Sequence, residues 1–117
     1  SGTWRRAVDA RWRCDAAALA RAHEAQAALL DRARAMVVPG GRIVYITCSL
    51  LRSEGEAQIE RLLAEAPELE IAEISEIWQD VIGNDACPPT DRGMLRLLPG
   101  RDGTDGFFMA VLQSRLR

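Results

Sequence analysis

The chain has 117 residues, of which 48% are hydrophobic, and this fits one globular domain over residues 1–117. No apolar run approaches the roughly 20 residues of a membrane span, and the charged start, Ser1–Asp15, does not resemble a signal peptide, so we expect a cytoplasmic protein with no membrane partner. A net charge of −2 disfavours an autonomous nucleic-acid binder, and three scattered cysteines without a C-x-x-C pair disfavour a disulfide framework or a metal site.

The first segment, Ser1 to Cys14, is rich in arginine and tryptophan and has little periodicity, so we expect a loop. One interpretation is that its arginines bind the phosphates of an RNA backbone while its tryptophans stack on bases. The other is that these residues belong to a solvated loop. The sequence leaves both interpretations open. The candidate RNA-binding residues are Arg5, Arg6, Arg11 and Arg13.

A helix is predicted next, because apolar residues recur at helical spacing after Asp15, a residue type that favours the N-cap. The run Pro39-Gly40-Gly41 ends this helix and turns the chain. The following segment, Arg42–Cys48, is β-branched and aromatic and therefore predicts a strand. Its consecutive apolar residues are typical of a strand covered on both faces, as in a parallel sheet.

The middle of the chain predicts a second helix, which begins at Ser53 and ends at Pro67. Ser53 and Glu56 have the S-x-x-E spacing of a capping box. Beyond it, a strand is predicted at Leu69–Ile74, a loop at Gly83–Arg92, and Ile77–Ile82 is ambiguous.

Two further strands are predicted at Met94–Leu98 and Phe107–Gln113, and the Gly- and Asp-rich Pro99–Gly106 joins them as a hairpin. The alternation of helices and strands before this hairpin indicates an α/β fold with a parallel sheet. Two helix–strand units are too few to complete a doubly wound sheet. We therefore expect that an upstream part of the fold is missing.

Cys48 is the most informative residue for function. Ligands of open α/β sheets bind at the carboxyl ends of strands, and Cys48 lies at such an end. The next helix is predicted to begin a few residues later, and helix N-termini favour the thiolate form of a nearby cysteine. A cysteine is equally often a small buried apolar residue, so position alone leaves both interpretations open.

Other candidates have plainer explanations. Cys14 and Cys87 lack a comparable position and are expected to be structural. His23 is expected on a solvated helix face. The glutamates at 54, 56 and 60 either form an acidic site or favour a helix start through the macrodipole. The glycine-rich connection at 99–106 lacks the spacing of a phosphate loop and is expected to be a turn.

Three motifs together resemble one family. They are the run PGGRIVYITCSLL at 39–51 followed by Glu54-x-Glu56, the run LRLLPGRDGTDGFFMAVL at 95–112, and the opening SGTWRR with Asp9-x-x-Trp12-Arg13. In this order they resemble the Sun/Fmu-type family of RNA cytosine-5 methyltransferases over nearly the whole chain.

The resemblance implies a Rossmann-like sheet that binds S-adenosyl-L-methionine, and ribosomal or transfer RNA as the partner. It implies that Cys48 matches the family's nucleophile, whose thiolate attacks carbon 6 of cytosine before methyl transfer. A second cysteine of the family, in a Pro-Cys motif, helps to release the product, and Cys14 is too far along the chain to match it.

Departures from the family pattern are also present. Gly55 stands where the family usually has Asn, and Ala7-Val8 stand where it usually has Asn-Pro. The family's glycine-rich cofactor loop, ribose-binding acid and Asp-x-Pro-Cys stretch all precede the region matched here. We therefore expect a partial catalytic domain that neither binds the cofactor well nor methylates RNA by itself.

The fold we predict is α/β: the carboxyl-terminal half of a Rossmann-like methyltransferase sheet with a terminal antiparallel β-hairpin. Its exposed edge favours weak self-association. Two other functions remain open beside the enzyme fragment. One is a non-catalytic RNA-binding or interaction module with a decayed methyltransferase fold, and the other is an unrelated enzyme that pairs Cys48 with His23.

Overall fold

A computed structural model describes residues 16–49, 51–83, 87–103 and 106–115. Helix α1 spans Ala16–Met36 and is followed by strand β1, Arg42–Thr47. A 3-10 turn at Arg52–Glu54 precedes helix α2, Glu56–Glu65. The remaining elements are β2 at Leu69–Ala72, α3 at Ile74–Val81, β3 at Thr90–Asp91, β4 at Met94–Leu97, a helical turn α4 at Pro99–Asp102, and β5 at Phe107–Ser114.

Strand β5 is the centre of the sheet. One of its edges pairs with β1 along the whole of β1, from Arg42 opposite Gln113 to Thr47 opposite Phe108. Its other edge pairs with β2 and, further along, with β4. Because all of these pairings are antiparallel, β1 and β2 run in the same direction on either side of β5.

The predicted α/β fold with a terminal antiparallel hairpin is therefore confirmed, and β4 pairs with β5 as expected. The parallel sheet expected from the alternation is wrong for the described strands, because β5 lies between β1 and β2 and every pairing is antiparallel. Sequence order did not indicate this, because a strand that follows a hairpin connection can also insert between earlier neighbours.

The core lies on both faces of β5, as alternation of side chains along a strand requires. Phe108, Ala110 and Leu112 face α1 and α2 and pack with Ile59 and Leu62. The opposite face is covered by α3 in a smaller cluster, formed chiefly by Ile74, Leu95, Val111 and Trp78. The arrangement has three layers, with the sheet in the middle.

One part of the sheet is uncovered. Val44 and Ile46 are 56% and 52% exposed, whereas Ile43 on the opposite face of β1 is buried. The prediction that β1 is covered on both faces is therefore wrong for this chain. Within the described residues β5 is the strand neighbour of β1.

In the same parts of the chain, no helix has the length and hydropathy needed to cross a membrane.

Several predicted boundaries are corrected. The strand expected at Leu69–Ile74 ends at Ala72, and the ambiguous segment Ile77–Ile82 belongs mostly to helix α3. Within the loop predicted at Gly83–Arg92, Thr90 and Asp91 pair with β4. The loop at Ser1–Cys14 and the N-cap Asp15 lie outside the described residues.

Gly93 offers a test of the fold. It has φ +84°, and a Cβ there would lie 2.8 Å from Ile71 Cγ2 and 2.9 Å from Glu73 Oε2. Gly83 has φ +95° but nothing within 4 Å of the same position. Both Ala variants incur roughly 1–2 kcal/mol for the left-handed backbone, and only Gly93→Ala adds overpacking of about 1–3 kcal/mol.

We therefore expect Gly93→Ala to lower the free energy of unfolding clearly more than Gly83→Ala, measured by urea denaturation. Equal losses in the two variants would contradict the packing of the β3–β4 turn against β2.

Candidate active site at the carboxyl end of strand β1

Cys48 follows directly after β1, and its side chain is exposed. The next residue, Ser49, is fully buried. Its backbone N–H donates to Thr47 Oγ1 over 3.2 Å, and its own hydroxyl accepts the N–H of Leu51 over 3.0 Å. Such local side-chain bonds are typical of Ser and Thr in turns. They hold the chain on both sides of an accessible thiol.

The capping box predicted at Ser53 and Glu56 is wrong. Helix α2 begins at Glu56 with Gly55 as its N-cap, and no side-chain cap is formed there. Ser53 Oγ is instead 3.1 Å from Nε2 of His23 on helix α1, and the Glu56 carboxylate binds arginine. Tertiary partners have replaced the local bonds that the S-x-x-E spacing suggests.

His23 is consequently partly buried between two elements, so the prediction of a solvated helix face is wrong. Its described hydrogen-bond partner is Ser53 and not Cys48. The structure therefore does not form the pairing that an unrelated Cys48–His23 enzyme needs.

Tyr45 ties the turn after Cys48 back to β1. Its hydroxyl donates to the backbone carbonyl of Glu54 over 2.6 Å. Its ring lies edge-on to Phe108 with 6.2 Å between centroids. Partial burial, with a smaller contribution from the charge of Glu54, raises the pKa of Tyr45 to about 12.

A charged cluster completes the site. Arg96 on β4 donates from Nη1 to the Ser49 carbonyl over 3.0 Å and from Nη2 to the Glu56 carboxylate. Its guanidinium lies 5.1 Å from the centroid of the Phe108 ring. Arg52 reaches the other oxygen of Glu56 over 3.1 Å.

Sequence reasoning missed this cluster. It assigned the glutamates at 54, 56 and 60 to a helix start or an acidic site, whereas Glu54 and Glu56 are buried. A usable signal was present in Met94-Leu95-Arg96-Leu97, where a charge interrupts an apolar strand. A charge on the inward face of a strand requires a partner of opposite charge, because burying it alone is costly.

A cleft opens beside the cluster. It is lined by Arg52, Glu56, Pro89, Thr90, Asp91, Met94, Leu95, Arg96 and Phe108. Among the described residues, no group of three or more His, Cys, Asp or Glu side chains is arranged to hold a metal ion.

The remaining candidates lie elsewhere. Cys87 donates its thiol to the Pro88 carbonyl over 3.2 Å, and burial raises the pKa of that thiol, which suits the expected structural role. Cys14 lies outside the described residues, as do the candidate RNA-binding residues Arg5, Arg6, Arg11 and Arg13.

A family model described as 16S rRNA methyltransferase RsmB/F matches residues 1–113. The chain belongs to the RsmB/F family. This confirms the resemblance drawn from the three motifs, since the match includes the Thr-Cys-Ser turn and most of the terminal hairpin.

Two proteins named as ribosomal RNA small subunit methyltransferases are similar in sequence to this chain. The probable ribosomal RNA small subunit methyltransferase B of Synechocystis is 38% identical over 96% of this chain, and that of Vibrio cholerae is 30% identical over 98%. The chain spans 24% and 23% of these two relatives, about a quarter of their length.

Solved structures have the same fold as this RsmB/F chain. The crystal structure of PH0851 superposes with a TM-score of 0.80 at 32% identity, over 97% of this chain and 24% of that one. A methyltransferase homologue from Pyrococcus horikoshii superposes with a TM-score of 0.70 over 86% of this chain and 33% of that one, at 23% identity.

The chain contains one tyrosine, so the absorbance of tyrosinate reports on Tyr45 alone. We expect Tyr45 to ionise near pH 12 in the folded chain and near pH 10 in urea. Because the folded pKa is the higher one, stability from the neutral phenol is complete below pH 10. It is lost as the pH rises toward 12.

A spectrophotometric titration, with circular dichroism followed in parallel, checks this expectation. A midpoint near pH 10 in the folded state would contradict the burial of Tyr45 against Phe108 and Glu54.

Proposed function

We propose that this chain is part of an RNA cytosine-5 methyltransferase acting on ribosomal RNA, and that Cys48 is its nucleophile. The observation that carries the proposal is the exposed thiol of Cys48 between Thr47 and Ser49, at the carboxyl end of β1. The RsmB/F family and relatives named as ribosomal RNA methyltransferases supply the substrate class.

The chemistry assigned to Cys48 is addition followed by elimination. The thiolate forms a bond from Sγ to carbon 6 of cytosine, and the π electrons of the C5–C6 bond move toward carbon 4 while N3 takes a proton. Carbon 5 becomes nucleophilic. After C5 carries the new methyl group, a base removes the C5 proton, the electrons of that C–H bond re-form the C5–C6 double bond, and the thiolate leaves C6. N3 gives back the proton that it took in the addition, so the product is neutral 5-methylcytosine. Covalent catalysis of this kind divides one difficult step into easier ones.

We propose that the described residues do not form a complete site for S-adenosyl-L-methionine, which would supply the methyl group. A ribose-binding acid must have a free carboxylate, and the Glu56 carboxylate is taken by Arg52 and Arg96. No glycine-rich loop opens a helix in the described residues. We propose that other parts of a longer polypeptide bind the cofactor.

The uncovered face and edge of β1 support this proposal. Val44 and Ile46 are apolar and exposed on β1, and β5 is the one described strand neighbour of β1. An unpaired apolar edge favours addition of a further strand. We propose that the rest of the longer protein covers β1, and that the isolated chain, lacking this cover, self-associates weakly and has no activity.

The test uses the longer polypeptide that carries this chain, with Cys48→Ala and Cys87→Ala as matched variants. We expect Cys48→Ala to lower methyl transfer to cytosine in ribosomal RNA at least roughly 1,000-fold, because the covalent route is lost. Cys87→Ala should retain activity, since its thiol is bonded to the Pro88 carbonyl.

RNA that contains 5-fluorocytosine tests for the covalent bond to Cys48 separately from the rate of methyl transfer. Carbon 5 then has no proton to lose, so the bond from Sγ to C6 persists and is detected by mass spectrometry. We expect the adduct with the parent and with Cys87→Ala. An adduct or full methyl transfer with folded Cys48→Ala would refute the role of Cys48. No transfer by the folded parent over a broad RNA panel would favour a binding module with a decayed fold.

A further inference from the structure

Three separate segments of the chain meet at the guanidinium of Arg96. The side chain comes from β4 in the terminal hairpin. One of its nitrogens binds the Ser49 carbonyl, directly after Cys48, and another binds the Glu56 carboxylate at the start of α2. Arg96 therefore links the turn that carries the thiol to a helix and to the hairpin.

Ser49 is held at all of its polar groups. Its N–H is bonded to Thr47, its hydroxyl accepts from Leu51, and its carbonyl accepts from Arg96. The first two bonds lie within the turn and move with it. Arg96 supplies a bond from outside the turn, so it fixes the turn relative to the sheet.

The environment favours a single position for this guanidinium. The side chains of Glu56 and Arg96 are 8% and 21% exposed, and Phe108 lies beneath the guanidinium. Charge-assisted bonds in such a site are stronger than neutral ones. A planar fork also binds two acceptors at a fixed angle, which the lysine ammonium does not do.

Gly55 leaves the space that Arg96 occupies. A Cβ at this position would lie 2.9 Å from Arg96 Nη2 and 3.0 Å from Cγ of Phe108. Any larger residue at 55 must displace either the guanidinium or the aromatic ring beneath it. The absence of a side chain at Gly55 is therefore part of how Arg96 reaches Ser49.

We propose that Arg96 is a positioning residue for the Cys48 thiol. It acts through the Ser49 carbonyl, is oriented by Glu56, and requires the space at Gly55. The inference rests on the proposed function of Cys48, because it concerns the attack of that thiol on cytosine. It adds that the terminal hairpin takes part in the reaction by holding the nucleophile's turn.

The experiment compares Arg96→Gln, Arg96→Lys and Gly55→Ala in the longer polypeptide, at a temperature where each variant is folded by circular dichroism. We expect Arg96→Gln to lower kcat roughly 10- to 100-fold, since a displacement of about 1 Å at a reacting group has such an effect. KM for RNA should change less than about twofold, because contacts that bind the RNA equally in the ground state and the transition state are not altered. Arg96→Lys should recover part of kcat.

Gly55→Ala tests the same contact without removing the charge, and we expect a loss of kcat in the same direction. Hydrogen exchange of a peptide covering residues 44–54 should be faster in both Arg96→Gln and Gly55→Ala. The matched control is Arg115→Gln, because Arg115 forms an exposed pair with Glu70 at the opposite end of β5. It should leave kcat and exchange at 44–54 unchanged.

Three outcomes would overturn the proposal in distinguishable ways. An unchanged kcat in folded Arg96→Gln, while Cys48→Ala is inactive, would remove Arg96 from the mechanism and leave the function of Cys48 intact. Full activity in Cys48→Ala would reject the proposed function, and with it a positioning role for Arg96. A rise in KM alone would also count against Arg96, since it would indicate RNA binding.

Discussion

The structure depends on the pairing of β5 with β1 on one edge and with β2 and β4 on the other. A strand with two paired edges is covered by both layers of helices, so its side chains supply the centre of both apolar clusters. Phe108, Ala110 and Leu112 are buried on one face and Val111 on the other. The helices pack where they do because β5 presents these two faces.

The same pairing assembles the candidate site. Thr47 lies opposite Phe108, and Phe108 lies opposite Arg96, so the end of β1 and the middle of β4 meet across one residue of β5. Side chains opposite one another on adjacent strands share a face of the sheet. Arg96 therefore lies over Phe108 and reaches the Ser49 carbonyl, and Glu56 completes its environment.

Much of this was accessible from sequence, and the errors have physical causes. Helical periodicity predicts α1, the β-branched and aromatic run predicts β1, and the Gly- and Asp-rich connection predicts the β4–β5 hairpin. Cys48 falls at a strand end because the apolar run stops there. The S-x-x-E spacing predicts the wrong start for α2, because Ser53 and Glu56 bond to His23 and Arg96 and not to the local backbone. The central place of β5 and the cluster around Arg96 arise from contacts between distant residues, which local patterns do not contain. In the sequence Gly55 is a departure from the family pattern, and its relation to Arg96 is visible only in the structure.

The central position of β5 also bears on the order in which the protein forms during synthesis. Arg42 and Gln113 are partners although about seventy residues separate them along the chain. Contacts of such long range form late, because the entropy of closing the intervening loop must be overcome first. While the residues of β5 are still being translated, β1 and β4 lack the strand that pairs with both of them. We therefore expect the bond from Arg96 to the Ser49 carbonyl, and with it the fixed turn around Cys48, to form only after the residues of β5 have been synthesised.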